Sequence, residues 1–156
     1  MKQLILSAAL MMTLSMPVFA QKSETPSDVI ASFEQKFPNT QKVEWAFDEE
    51  DNLWEAEHVF NHTEYTSAFT PTGEWVETEK ELKRKDLPQA VLTTLKSEFD
   101  DFDIEEVVWI ETPEGTFYEV ELEQEENGRE ATLELTLTPE GTVVKKESGD
   151  DEEDDE

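Results

Sequence analysis

The stretch PSDVIASFEQKF at residues 26–37 decides the fold, because it returns as PQAVLTTLKSEF at residues 88–99. The apolar side chains of each stretch recur at the spacing of one helical face. They are Val29, Ile30, Phe33 and Phe37 in the first stretch, and Val91, Leu92, Leu95 and Phe99 in the second. The sequence therefore predicts two amphipathic helices that open two related segments of the chain.

The residues after each helix also correspond to one another. Val43-Glu44-Trp45 matches Val107-Val108-Trp109, and Thr-Pro-x-Gly turns stand at 70–73 and 138–141. Apolar and polar residues alternate between these points, which is typical of half-buried antiparallel strands. We therefore predict an α+β fold of two tandem repeats. Each repeat is a helix followed by about four antiparallel strands, with the helix packed on one sheet face.

The two ends of the chain predict export and an unstructured tail. Lys2, the apolar run from Leu4 to Met16 and the small-residue pattern Val18-Phe19-Ala20 have the form of a cleaved signal peptide. The alternative is an uncleaved N-terminal anchor, but the run is short for a membrane span. We divide the chain into a signal peptide (1–20), repeat 1 (21–86), repeat 2 (87–147) and a disordered acidic tail (148–156). A periplasmic or secreted protein is expected, without a membrane span after cleavage.

The charge of the chain limits its partners. The formal net charge is −28, and the acidic run Asp150–Glu156 accounts for only seven of those charges. The predicted repeats are therefore strongly acidic themselves. Such a field repels nucleic acid and anionic lipid and attracts basic proteins, basic peptides and divalent cations. Solubility in salty surroundings is the alternative explanation of the charge.

This arrangement resembles the PepSY-like family of exported bacterial proteins, whose fold is similar to the repeats of the beta-lactamase inhibitory protein. The residues that carry the resemblance include Phe37-Pro38, Val43-Glu44-Trp45, Phe69 to Glu79, Leu87-Pro88, and Tyr118-Glu119-Val120 onwards to Gly141. The resemblance implies helix-plus-sheet units, a periplasmic or extracellular setting, and a binding or inhibitory role. It implies no catalytic residues.

The residues themselves offer little catalytic chemistry. The chain contains no Cys and only two histidines, His58 and His62. His58 falls on the core-facing side of its predicted strand, so we interpret it as a partly buried structural histidine, and His62 lies in a turn. Forty acidic residues supply many carboxylate pairs, and their spacing singles out none of them. An enzyme with a carboxylate site is the least favoured hypothesis, and we predict no catalytic residue.

Calcium binding is an alternative function. Oxygen-bearing side chains cluster at Asp48–Asn52 and at Asp100–Asp103, and the acidic tail would collect cations loosely. Neither cluster has the twelve-residue spacing of an EF-hand. We therefore predict no cofactor, and we keep divalent-cation binding or buffering as the second hypothesis.

The sheet face that points away from the helices is the predicted binding surface. It is expected to carry Glu55, Glu57, Glu64 and Thr66 from repeat 1, and Glu119, Glu121, Thr132 and Glu134 from repeat 2. Three tryptophans, Trp45, Trp54 and Trp109, have the core-facing parity. Trp75 follows a turn and is the candidate aromatic contact. The preferred hypothesis is an exported, non-catalytic binding module that engages a basic protein, peptide or envelope component. Inhibition of that partner is one form of this hypothesis.

Overall fold

The structure is a computed structural model that describes residues 24–126 and 129–148. The predicted signal peptide, the Asn127-Gly128 turn and the tail from residue 149 lie outside the described residues. The elements in chain order are α1 (Ser27–Lys36), β1 (Gln41–Asp48), β2 (Leu53–Phe60), β3 (Thr63–Phe69), β4 (Trp75–Glu81), α2 (Gln89–Glu98), β5 (Phe102–Thr112), β6 (Gly115–Glu126), β7 (Arg129–Leu137) and β8 (Val143–Ser148).

The eight strands form one continuous antiparallel sheet in the order β1 to β8. Every strand pairs with its neighbours in the chain, so the sheet is a simple meander. The central pairing joins β4 to β5, with Lys80 opposite Trp109. The predicted α+β class and antiparallel strands are confirmed.

Both helices pack on the same face of the sheet, which we call the helix face. Val29 and Phe33 of α1 lie in one cluster with Trp54, Ala56 and Phe69. Val91 and Leu95 of α2 lie in a second cluster of aliphatic strand residues, which are Val107, Val120, Leu122, Leu135 and Leu137. Strand residues of the opposite parity therefore point away from both helices. The alternation in the sequence predicted this division correctly.

Two of the Thr-Pro-x-Gly turns bring a glycine against the backbone of a helix. Gly73 and Gly141 both have positive φ, at 84° and 85°. A Cβ atom on Gly73 would lie 2.8 Å from the carbonyl oxygen of Asp28, and one on Gly141 would lie 2.7 Å from that of Ala90. The glycines therefore allow the turns to approach α1 and α2 closely.

We expect Gly141→Ala to lower the free energy of unfolding by about 2 kcal/mol, because the methyl group meets backbone that cannot move aside and φ is unfavourable for alanine. Urea denaturation measures the change. Gly115→Ala is the control, since Gly115 also has positive φ, at 147°, but a Cβ atom there has no atom within 4 Å, so this variant has backbone strain without the contact. Equal losses in the two variants would show that the contact with α2 is unimportant.

Candidate functional site: the acidic face of the sheet

The face opposite the helices carries the predicted glutamates. In β2, Trp54 and Ala56 contact α1, so Glu55 and Glu57 point to the other side. The strand register then places on this side Thr66 opposite Glu57, Glu64 opposite Val59, and Glu134 opposite Glu121. We call this surface the acidic face. The predicted residues that it brings together are Glu55, Glu57, Glu64, Thr66, Glu119, Glu121, Thr132 and Glu134.

Trp75 is not part of the acidic face, although it was the candidate aromatic contact. Its ring packs at the edge of the α1 cluster on the helix face. The Nζ atom of Lys36 lies 3.3 Å above the ring centre, and Nε1 donates a hydrogen bond of 3.0 Å to Thr78 Oγ1. The prediction assumed that a residue directly after a turn faces solvent. Here the bulge between β3 and β4 turns the Trp75 ring toward α1 instead.

The centre of the acidic face is apolar and buried. Ala68, Val108 and Ile110 have this parity, and Ile110 is opposite Glu79 in the register. Ile110 has no exposed surface, and Val108 is only 7% exposed. The neighbouring side chains on the face therefore close over this apolar centre. The signal in the sequence is the unbroken apolar run from Val107 to Ile110, which is typical of a strand buried on both faces.

Three further glutamates lie around this centre and were not among the predicted site residues. Glu77 and Glu79 belong to β4, opposite Ala68 and Thr66, and Glu106 belongs to β5. Burial raises the pKa of Glu77 to about 7, with further repulsion from Glu79. Burial also raises the pKa of Glu79 to about 7. The carboxyl groups of Glu77 and Glu79 are therefore partly protonated near neutral pH.

Four glutamates form a single row across the second half of the sheet. Glu106 is opposite Glu121, Glu121 is opposite Glu134, and Glu134 is opposite Glu147. We call these four residues the glutamate row. Like charges directly opposite each other destabilise a sheet, so this arrangement has a cost to folding that the chain bears.

A small hollow opens beside the glutamate row. It has a volume of ≈ 20 Å³ and is lined by Glu106, Val108, Glu119, Glu121 and Glu134. Glu119 is only 8% exposed, and burial, followed by repulsion from Glu134, raises its pKa to about 8. The carboxyl groups of Glu119 and Glu134 share a hydrogen bond. One of them must hold a proton to donate it, and the raised pKa assigns that proton to Glu119.

Lys145 lies on the same face, opposite Thr136 in the register, and its charge acts on Glu119. Its Nζ atom lies 2.7 Å from a carboxylate oxygen of Glu147 at the end of the glutamate row. Burial raises the pKa of Glu134, whereas the positive charge of Lys145 opposes that rise. Lys145 thus neutralises only part of the charge around the hollow, because five carboxyl groups lie in this region. They are Glu106, Glu119, Glu121, Glu134 and Glu147.

His58 lies in the core, as its strand parity predicted. It is 3% exposed, and its ring lies between those of Phe33, Phe37 and Tyr65, at centroid distances of 4.9, 4.7 and 5.7 Å. Nδ1 donates a hydrogen bond of 3.1 Å to the Ala56 carbonyl. Burial lowers the pKa of the imidazole, which favours its neutral form.

The predicted calcium loops do not assemble a metal site in the part of the chain that the structure describes. Asp48 Oδ1 instead accepts a hydrogen bond of 2.8 Å from the backbone N–H of Glu50 and so closes the turn between β1 and β2. Within residues 24–126 and 129–148, no three His, Asp or Glu side chains are arranged to hold a metal ion.

Comparison with known proteins identifies the family of this chain. Residues 54–145 match the model of a family described as beta-lactamase-inhibitor-like and PepSY-like, which is more than half of the chain. The chain belongs to the PepSY-like family. No protein with a curated description matches this PepSY-like chain significantly. None of the helices in its described ranges is long and apolar enough to cross a membrane.

Solved structures resemble this PepSY-like protein over most of its length. A BLIP-like protein from Bacteroides fragilis NCTC 9343 is 21% identical, with 87% of this chain and 94% of that chain covered and a TM-score of 0.72. A DUF2874 family protein from Bacteroides ovatus ATCC 8483 is also 21% identical, with coverage of 83% and 91% and a TM-score of 0.71. A Bacteroides eggerthii DSM 20697 protein, provisionally described as periplasmic, is 22% identical, with coverage of 81% and 90% and a TM-score of 0.67. Identities this low show the fold alone.

Proposed function

We propose that this PepSY-like protein is an exported, non-catalytic binding module whose acidic face engages a basic protein, peptide or envelope component. The observation that carries the proposal is the number of carboxylates that share that face, including the four of the glutamate row on adjacent strands.

The electrostatics of the acidic face favour a cationic partner. Glu77, Glu79 and Glu119 repel their neighbours, and each has a raised pKa that burial and that repulsion explain. A partner with lysine or arginine side chains would relieve the repulsion and would be steered to the face by its field. The free energy that folding loses to this repulsion would then be recovered on binding.

The family and the ends of the chain support the setting and the kind of role. A PepSY-like, beta-lactamase-inhibitor-like family description favours binding or inhibition of another protein over catalysis. The signal-peptide pattern at residues 1–20 favours the periplasm or the medium. The provisional description of the Bacteroides eggerthii protein agrees with that location. We therefore place the partner in the cell envelope or outside the cell.

We also infer that the two halves of the chain arose as tandem repeats. In support, α1 precedes four strands and α2 precedes four more. The turn glycines Gly73 and Gly141 contact their helices at Asp28 and Ala90, which are matched positions in the two sequence segments. Repetition would give the chain a wide sheet and hence a wide acidic face.

A charge-matched pair of variants tests the binding function. We expect replacing Glu55, Glu57, Glu119 and Glu121 by Gln to weaken binding of a basic protein at least about tenfold, or 1.4 kcal/mol. The measurement is surface plasmon resonance on the immobilised mature chain, with a panel of basic and acidic proteins of similar size. Added salt should weaken the binding further.

The control variant loses the same number of charges elsewhere, by replacing the exposed Glu34, Glu49, Glu98 and Glu114 with Gln. It should bind almost as the parent does. If both variants lose affinity equally, attraction to net charge alone explains the binding. If neither loses affinity, the acidic face is not the surface used.

A further inference from the structure

We propose, on the basis of the binding function above, that the hollow beside the glutamate row receives a primary alkylammonium group. The group would be either a lysine side chain of the partner or an amine of a free polyamine. Glu121 and Glu134 would hold its charge directly, and Glu119 and Thr136 would lie beside them.

The size of the hollow selects this group. A volume of ≈ 20 Å³ admits about one group the size of a water molecule. An ammonium head is a compact point charge of that size, whereas a guanidinium is a wide planar fork. The hollow therefore favours lysine-like cations over arginine-like ones.

One unpartnered polar atom lies in the wall of the hollow and a second lies on the neighbouring strand position, opposite Glu119. Thr136 is opposite Glu119 on the same face, and its Oγ1 atom is buried without a hydrogen-bond partner at 1% exposure of the residue. Glu134 Oε1, in the wall of the hollow, is also buried without a partner. Buried polar atoms rarely remain unpaired, and each costs about 1–3 kcal/mol when they do. An ammonium group supplies three donors and no acceptor, which suits these two oxygens and the Glu121 carboxylate.

The proton balance of the hollow predicts how amine binding should depend on pH. Without ligand, Glu119 donates its proton to Glu134 in a hydrogen bond. When the ammonium arrives, its own N–H groups replace that donor, Glu119 ionises, and up to one proton leaves to solvent. Binding should therefore strengthen as the pH rises from 6 to 9. The charged groups that face the pair are Glu79 on β4, Glu106 on β5, Glu121 on β6, and Lys145 and Glu147 on β8.

The glutamate row extends the same chemistry along the sheet. Its four members lie on adjacent strands, about 4.8 Å apart from one strand to the next. That interval is close to the span of a three-carbon linker between two amines. A polyamine could thus place one ammonium in the hollow and another over a neighbouring glutamate.

Calorimetry with small amines tests the proposal on the full mature chain. We titrate butylammonium, spermidine, butylguanidinium and an Nα-acetyl-lysine ester, whose side-chain ammonium is free. Each titration is made in two buffers of different ionisation enthalpy. We expect the amines to bind with proton release, at least about tenfold more tightly than butylguanidinium. Glu134→Gln and Thr136→Val should each weaken amine binding, and Glu114→Gln, in the exposed β5–β6 turn, should leave it unchanged.

The two sources of the ammonium are separated by their affinities. Spermidine binding much more tightly than butylammonium supports a free polyamine, and equal binding of the lysine ester and butylammonium supports a lysine of the partner. Absence of heat with every amine, equal affinity for butylguanidinium, or binding of Ca²⁺ in place of the amines would overturn the proposal. If the chain captures basic proteins but binds no amine, the proposed ammonium site is wrong and the binding function stands. If it binds amines but captures no basic protein, the proposed protein partner is wrong.

Discussion

Raising the pH from 5 to 9 is expected to lower the free energy of unfolding by about 3–5 kcal/mol, because buried carboxyl groups must ionise in the folded sheet. The pKa of Glu77 and of Glu79 is raised to about 7, and that of Glu119 to about 8. Between pH 4.5 and 8 the folded state therefore holds more protons than the unfolded state. Stability is complete at the acid end of this window and is lost as the pH rises through the folded pKa values.

One buried group acts in the opposite direction. Burial lowers the pKa of His58, so its contribution is present above the unfolded value of 6.5 and falls as the pH drops below it. Burial also raises the pKa of Glu55, Glu106 and Glu134, which adds to the effect of the three glutamates above. The carboxyl groups outnumber the single imidazole, so the net sign is a loss of stability toward alkaline pH.

Urea denaturation at unit steps of pH, followed by tryptophan fluorescence, measures this dependence. Glu119→Gln should be more stable than the parent at pH 8 and should show a smaller change with pH, because it removes one buried carboxyl group. Glu114→Gln removes an exposed charge and should follow the parent curve. A free energy of unfolding that stays level, or rises, from pH 5 to 9 would refute the burial of these glutamates.

The sequence allowed the elements and the parity of the sheet to be predicted because both follow from local spacing. Val29 and Phe33 share a helical face, and Trp54 and Ala56 alternate with Glu55 and Glu57. A helix period or a strand period states directly which side chains point to the core. The class, the helices and the division into two faces were therefore available before the structure.

The burial of particular glutamates could not be predicted from the sequence in this way. Glu57 and Glu119 stand in similar alternating patterns, and both point to the acidic face. Only Glu119 is largely covered, since its neighbours across the strands are Val108 and Thr136 in the middle of β5 and β7. Burial on that face depends on which strands lie side by side, and the alternation within one strand carries no such information.

Removal of the Phe33 ring is expected to cost about 3–5 kcal/mol, as for other buried aromatic residues replaced by alanine. Phe33 is 3% exposed and lies at the centre of the α1 cluster. Its ring contacts those of Phe37, Trp45, His58 and Phe69, at centroid distances of 5.2, 5.4, 4.9 and 6.1 Å. Phe33→Ala thus leaves a cavity between helix and sheet that these rings can fill only in part.

Phe60→Ala is the matched control, because the same ring is removed from a residue that is 41% exposed. Thermal denaturation of the two variants should show a much larger fall in Tm for Phe33→Ala. The β4–β5 pairing joins the strands under α1 to those under α2, so the loss should lower one shared transition. A separate early transition confined to the first half would mean that the sheet, though continuous, unfolds as two units.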